Sequence, residues 1–317
     1  MSKQVLVTGG AGFIGSNFIR LLLNTTDWYV TNIDALTYAA DPSIVKEMDQ
    51  FENVRFLKLD IADIEQLEQA FDVTYDVIIN FAAETHVDRS IQDASAFVRS
   101  NVIGVSHLLD QVKQGKAKKY IQVSTDEVYG SLTNKENPFT EFSNLSPNNP
   151  YSATKASADL LVQSFYKTYK LPVMITRCSN NFGPYQHREK LIPKIIEHIS
   201  LNRKIPIYGD GLNVREWLYV EDHCRAIKKV IESGRFGEVY NIGCNHEKTN
   251  LEVVRFILDY MGGDMKLIDF VKDRQGHDFR YALNWSKMKN QLGWTPNVSF
   301  EEGMAKTIDW YVHRKNS

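Results

Sequence analysis

Apolar residues in the first half of the chain fall into two alternating kinds of run. Short, near-continuous ones rich in β-branched residues lie at 5–8, 29–33, 54–59, 77–81 and 120–123. Val77-Ile78-Ile79 is typical, and such runs fit strands buried on both faces. Longer ones with apolar positions three and four apart lie at 13–23, 64–71 and 94–114, the spacing of amphipathic helices. Alternation of the two kinds predicts a doubly wound α/β fold: a parallel sheet with helices on both faces.

After Pro150 the pattern continues with a helix over 152–169 and a strand over 173–176. Beyond Asn181 the regularity loosens, and Pro184, Pro193 and Pro206 interrupt it. Two capping boxes open apolar-periodic runs here, Thr249 with Glu252 and Ser299 with Glu302, each a helix start. The expected division is a sheet domain over 1–180 and a smaller α/β substrate-binding lobe over 181–317. The boundary is soft and lets segments cross.

Bulk properties narrow the picture only modestly. The net charge is −2 over 317 residues, which gives no reason to expect nucleic acid or an anionic membrane as partner. No long apolar span or signal-peptide pattern is present, so a cytoplasmic protein is expected. Cys178, Cys224 and Cys244 are far apart and lack metal-ligand spacing, so we expect reduced thiols and no metal.

The run Thr8-Gly9-Gly10-Ala11-Gly12-Phe13-Ile14-Gly15 follows a predicted strand and opens a predicted helix. Glycines there permit a tight turn and close approach of the backbone to a pyrophosphate, and the helix N-terminus offers free N–H groups. Asp34 ends the next strand, where an acid accepts from a ribose 2′-OH and repels a 2′-phosphate. The pattern predicts a Rossmann-type NAD site. Asp60 and Ile61, after the third strand, would reach the adenine. Ala82 and Ala83, after the fourth, are small enough to let the cofactor lie against the backbone.

Tyr151 and Lys155 stand one helical turn apart and share a face. An ammonium beside a phenol favours the phenolate, which makes a general base for a hydroxyl. Ser124 or Thr125 would complete the proton handling. The pair alone is common on helices; the glycine loop upstream and the hydroxyls between give it weight. Thr125 is followed by two adjacent acids, Asp126 and Glu127. A redox site does not need them, so oxidation is expected to be one step of a longer reaction that eliminates water.

With these motifs the chain resembles the extended short-chain dehydrogenase/reductase family and, within it, the nucleotide-sugar 4,6-dehydratases. The resemblance rests on 8–15, 34–39, 81–88, 125–130, 151–155, 179–185, 215–220 and 273–278. It implies dTDP-glucose or a related nucleotide sugar as substrate, NAD as cofactor, and a homodimer in which the helices at 94–114 and 152–169 pair across a two-fold axis. It implies Thr125, Asp126, Glu127, Tyr151 and Lys155 as catalytic residues. Gly9, Gly12, Phe13, Ile14, Gly15, Asp34, Leu36, Thr37, Asp60, Ile61, Ala82 and Ala83 would join Tyr151 and Lys155 in holding NAD. Thr85, Asn180, Asn181, Lys190, Leu191, Pro206, Tyr208, Arg215, Asn250, Arg274 and His277 would bind the nucleotide sugar. Thr85 departs from the serine common in relatives. A 4-epimerase or decarboxylase of another nucleotide sugar, a UDP-glucose dehydratase and a non-catalytic NAD-sensing protein remain as alternatives.

Overall fold

The computed structural model describes residues 2–314. Strands β1 (Gln4–Thr8), β2 (Tyr29–Asp34), β3 (Val54–Lys58), β4 (Val77–Asn80), β5 (Tyr120–Thr125) and β6 (Val173–Cys178) appear where the apolar runs place them. Helices α1 (Phe13–Thr25), α2 (Pro42–Met48) and α3 (Ile64–Glu68) connect the first strands. Side chains alternate along each strand: Val5 and Val7 join the apolar layer on one face of the sheet, and Leu6 the layer on the other.

Residues 94–114, predicted as one helix, form one helical run of three parts. These are α5 (Ser95–Val98), a π-helical turn (Arg99–Ile103) and α6 (Gly104–Lys113); the short α4 (Val87–Gln92) precedes them. Helix α4 was not anticipated, because its N-cap is His86, whose ring nitrogen accepts from Arg89 N–H. Within the wide turn the Asn101 side chain is buried. Its amide accepts from Glu84 N–H at 2.9 Å and donates to Glu84 O at 3.0 Å and Thr154 Oγ1 at 2.9 Å. The extra residue thus fixes a loop leaving the sheet to α7 (Pro150–Tyr169). Helix α7 starts at a reciprocal Asn149–Ser152 capping box with Pro150 in its first turn, and stops where Lys170 turns left-handed.

In the second half lie β7 (Asn180–Phe182), α8 (Leu191–Ser200), β8 (Ile205–Tyr208), β9 (Val214–Tyr219) and α9 (Val220–Ser233). They are followed by β10 (Val239–Ile242), β11 (Glu247–Thr249), α10 (Asn250–Met261), β12 (Ile268–Val271), α11 (Ser286–Leu292) and α12 (Phe300–Arg314). The Thr249 capping box forms with both of its bonds. At the second box Ser299 Oγ accepts from Glu302 N–H.

Among the described residues the strands form a seven-stranded parallel sheet in the order β10-β6-β5-β4-β1-β2-β3, with two smaller sheets, β11-β9-β7 and β12-β8. The chain crosses between the lobes. Strand β10 pairs with β6, and α9 and α11 pack on the large sheet through Ile227 and Met288. A separate core of Phe182, Ile195, Trp217, Val254, Ile257 and Met304 fills the smaller lobe.

Glu216, fully buried on β9, ties these segments together. Its carboxylate accepts from the backbone N–H groups of Cys244, Asn245 and Leu283 at 2.5, 2.6 and 2.9 Å. Glu216→Gln keeps the volume but turns a donor toward a donor, leaving a buried N–H unpaired. We expect urea unfolding to report a loss of about 1–3 kcal/mol with an unchanged m-value.

Candidate active site

A cavity of about 300 Å³ opens along the carboxyl ends of β1, β2, β4, β5 and β6. This is where doubly wound sheets bind their ligands. One wall is the glycine turn. Gly9 has a φ of +72°, and a Cβ there would stand 2.6 Å from Ala82 N; a Cβ on Gly15 would stand 2.3 Å from Gly9 O. Only glycine lets these segments touch. Gly12, the N-cap of α1, brings no side chain over the helix end, which is left to an anionic ligand. Asp34 lies beyond. Its carboxylate accepts from Ala11 N–H at 3.0 Å and Leu36 N–H at 2.8 Å, which aims it at the cavity. Burial raises its pKa and the two backbone donors oppose that shift. Phe13, Ile14, Thr37, Asp60, Ile61, Ala82 and Ala83 line the same wall. Leu36 does not; it acts through its N–H on Asp34. A glycine cradle, an exposed helix N-terminus and a carboxylate at ribose distance along the sheet fit a dinucleotide with free ribose hydroxyls.

The acid pair sits on a tight 3-10 turn (Asp126–Tyr129) that follows β5 directly. Thr125 caps it: Oγ1 accepts from Glu127 N–H at 3.3 Å and donates to Asp126 Oδ1 at 3.2 Å. Burial raises both carboxyls, but the largest charges acting on them differ in sign. Asp126 is pushed well above the usual range by desolvation and by the charges of Glu127 and Glu216. Glu127 is raised by desolvation and pulled back by Arg274, Arg215 and Lys190. Asp126 Oδ2 is buried without a protein partner.

Tyr151 and Lys155 reach the same cavity from the first turns of α7. The expected lowering of the tyrosine pKa is not what the protein groups alone produce. Desolvation, Glu127, Cys178 and Asp126 hold the phenol well above its ordinary value, and a hydrogen bond from Thr125 opposes them. Lys155 is occupied elsewhere, donating to Val123 O at 2.7 Å.

Comparison with known proteins shows the family. Residues 6–307 match the family model described as GDP-mannose 4,6 dehydratase. The chain belongs to that family. Over 309 residues it is 51% identical to "Low-salt glycan biosynthesis protein Agl12" of Haloferax volcanii, covering 98% of each chain. It is 46% identical to a dTDP-glucose 4,6-dehydratase of Haemophilus influenzae, covering 99% of each. Among solved structures, the DesIV dTDP-glucose 4,6-dehydratase of Streptomyces venezuelae with NAD and TYD bound superposes with a TM-score of 0.95. That pair is 45% identical, covering 99% of this chain and 98% of the other.

The remaining residues suggested by the family resemblance divide into groups. Thr85, Asn180, Asn181 and Lys190 line the cavity, and Lys190 Nζ donates to Thr85 O at 2.9 Å. Arg215 and Arg274 bring charge to Glu127 from the smaller lobe. Arg215 donates to the carbonyls of Val214, Phe279 and Asp278 and stacks on Tyr281. Tyr208 lies edge-on to His277 and donates to Asp88 at 3.3 Å, with Arg274 3.9 Å from the same carboxylate. Leu191 packs into the smaller lobe's core, Pro206 lies in β8, and Asn250 opens α10; none of these three lines the cavity. Sequence reasoning passed over Glu84, Ser179, His187 and Glu189, which do line it. Ser124, Ser179 and Asn180 each leave a buried side-chain oxygen without a protein partner. Glu84 and Ser179 lie in the family-like runs, but a lone polar residue after a strand carries no direction; His187 and Glu189 lie outside those runs. Among the described residues no cluster of metal-ligating side chains forms.

Gly15→Ala places a methyl against Gly9 O, and the glycine turn must open. The expected result in calorimetry is a Kd for NAD at least about tenfold higher, equivalent to about 1.4 kcal/mol.

Proposed function

We propose that the protein converts dTDP-glucose to dTDP-4-keto-6-deoxyglucose, with NAD as a resident cofactor. Contrast between the two acids carries this reading. An elimination needs one carboxyl protonated and its neighbour ionised; the largest charges acting on Asp126 are the anions Glu127 and Glu216, and those acting on Glu127 are the cations Arg274, Arg215 and Lys190, which supports that division.

When bound, NAD would supply a hydride acceptor for C4 and a hydride donor for C6, and its charged ring would add the positive charge that Tyr151 lacks in the protein alone. Tyr151 takes the 4-OH proton, with Thr125 beside its phenol and Lys155 as the nearby ammonium. Oxidation at C4 makes the C5 proton acidic, and Glu127 removes it. Asp126 protonates the 6-OH, which leaves as water. Glu127 then returns its proton to C5. Lys190, Arg215 and Arg274 suit the diphosphate, and guanidinium forks fit phosphate oxygens two at a time. Asn181, Asn250 and His277 would add neutral contacts, and Pro206 and Tyr208 would flank the base. A 4-epimerase has no use for the acid pair, because it releases no water.

The same reading makes the protein a homodimer. Val98 and Ile103 on the run before α7, and Leu160 on α7, are exposed apolar side chains on the two helices that the resemblance pairs across a two-fold axis. It also puts the protein in the cytoplasm, where its three buried free thiols stay reduced.

Incubation with dTDP-glucose should yield a product lighter by one water in mass spectrometry; an unchanged mass would favour epimerisation. Glu127→Gln should lower the rate about a hundred- to ten-thousand-fold and abolish deuterium incorporation at C5 from heavy water. Product formed at the parent rate would overturn the assignment. The rate should rise with pH as Glu127 ionises, at a pH above the ordinary carboxylate range, and fall again as Asp126 loses its proton. The two limbs belong to the coupled pair. Light scattering at micromolar concentration should report twice the chain mass.

A further inference from the structure

Lys155 is buried at the cavity wall, and its hydrogen bond to the Val123 carbonyl is to a neutral group. A buried ammonium held only by neutral groups tends to give up its proton. One turn further along α7, on the same face, stands Asp159, which has no solvent exposure. Asp159 is itself held: Arg177 Nε, on β6, donates to its Oδ2 at 2.7 Å, and both side chains are almost completely buried. Arg177 Nη1 donates to Tyr129 Oη at 2.9 Å, and Tyr129 donates to Asn241 Oδ1 at 2.8 Å. Asp159 Oδ1 and Arg177 Nη2 each keep no protein partner, so the pair is joined by one bond.

We propose that Asp159 is a positioning residue for the catalytic pair: one helical turn beyond Lys155, it keeps that lysine an ammonium, and the bond from Arg177 holds Asp159 in place. The charges around Lys155 support the assignment. On its own helix it has Tyr151 and Asp159. From β5 and the turn after it come Tyr120, Asp126, Glu127 and Tyr129, and from β6 come Arg177 and Cys178. The helical run before α7 faces this region with Phe97 and Asn101, and α4 with Ser90, none of which titrates. Burial lowers the Lys155 pKa, and of the groups that oppose this Asp159 is the largest and Cys178, a thiol, the other. Asp126 and Glu127 are needed in opposite protonation states for the elimination, so neither is a constant counter-charge. Asp159 lies outside the cavity and takes no part in the elimination.

The proposal rests on Tyr151 and Lys155 handling the hydroxyl proton, but its test is read with no sugar present. The Lys155 side-chain resonance in 13C-lysine-labelled protein, identified by its loss in Lys155→Met, is titrated in the parent and in Asp159→Asn. The amide can still accept from Arg177 Nε, so the shape of the pair is kept. Its midpoint should fall by about one to three pH units. With substrate, kcat should fall while KM is unchanged. Because Asp159→Asn leaves Arg177 a buried charge, a second variant removes both: Asp159→Leu with Arg177→Met. Replacing a buried ion pair by apolar residues of similar volume is often neutral or stabilising, so this variant should fold and show the same lowered midpoint. A parent-like midpoint in either folded variant, with only the melting temperature changed, would make the pair purely structural and overturn the proposal.

Discussion

The bond from Lys155 Nζ to the Val123 carbonyl joins the helix that carries the proton-handling pair to the strand that carries the acids. Four residues span the distance from Val123 to Glu127, and one helical turn separates Tyr151 from Lys155. The two halves of the chemistry are therefore built on rigid elements that cannot slide past each other without breaking a buried, charge-assisted hydrogen bond. Asn101 adds a second brace, fixing Glu84 to α7 through Thr154. Bonds of this kind matter more than additional apolar area here, because reactive groups displaced by an ångström lose much of their advantage.

The price of that arrangement is a set of charges removed from water. Asp126, Lys155, Asp159, Arg177, Arg215 and Glu216 are all buried. The fold answers each differently. Arg177 and Asp159 pair directly, Glu216 takes three backbone N–H groups, and Arg215 stacks on Tyr281 while donating to carbonyls. Asp126 keeps one oxygen with no protein partner, and the largest charges acting on it are the anions Glu127 and Glu216. Such surroundings favour the protonated carboxyl, the form that the proposed elimination asks of it.

Much of this was legible from the chain. Strands β1 to β6 follow from runs of apolar residues, because a strand buried on both faces admits little else. The glycine turn and Asp34 were recognisable because their spacing answers to one geometry. The acid pair stood out because its chemistry exceeds what a redox site needs. Strand β10 was not read: Val-Tyr-Asn-Ile is too short to announce itself, and its place in the sheet depends on β6, far away in sequence. Helix α4 was missed because a histidine caps it. The π-helical turn leaves no mark, since its extra residue shows only against the register of a neighbouring helix. The direction of the Tyr151 shift was also misread, because sequence spacing puts a lysine nearby without saying that its ammonium points to a carbonyl or that two carboxyls converge on the phenol.

The late arrival of β10 bears on how the chain is made. On a ribosome the first six strands of the large sheet emerge in order, and β6 is left at its border with unsatisfied backbone donors and acceptors. Its natural neighbour, Val239–Ile242, is translated only after most of the smaller lobe's first strands and helices. At about 5–20 residues per second that interval is a matter of seconds. For that time the nascent sheet offers a ready pairing edge to any other extended chain, so the newborn protein is most exposed to misassembly when most of its large domain already exists.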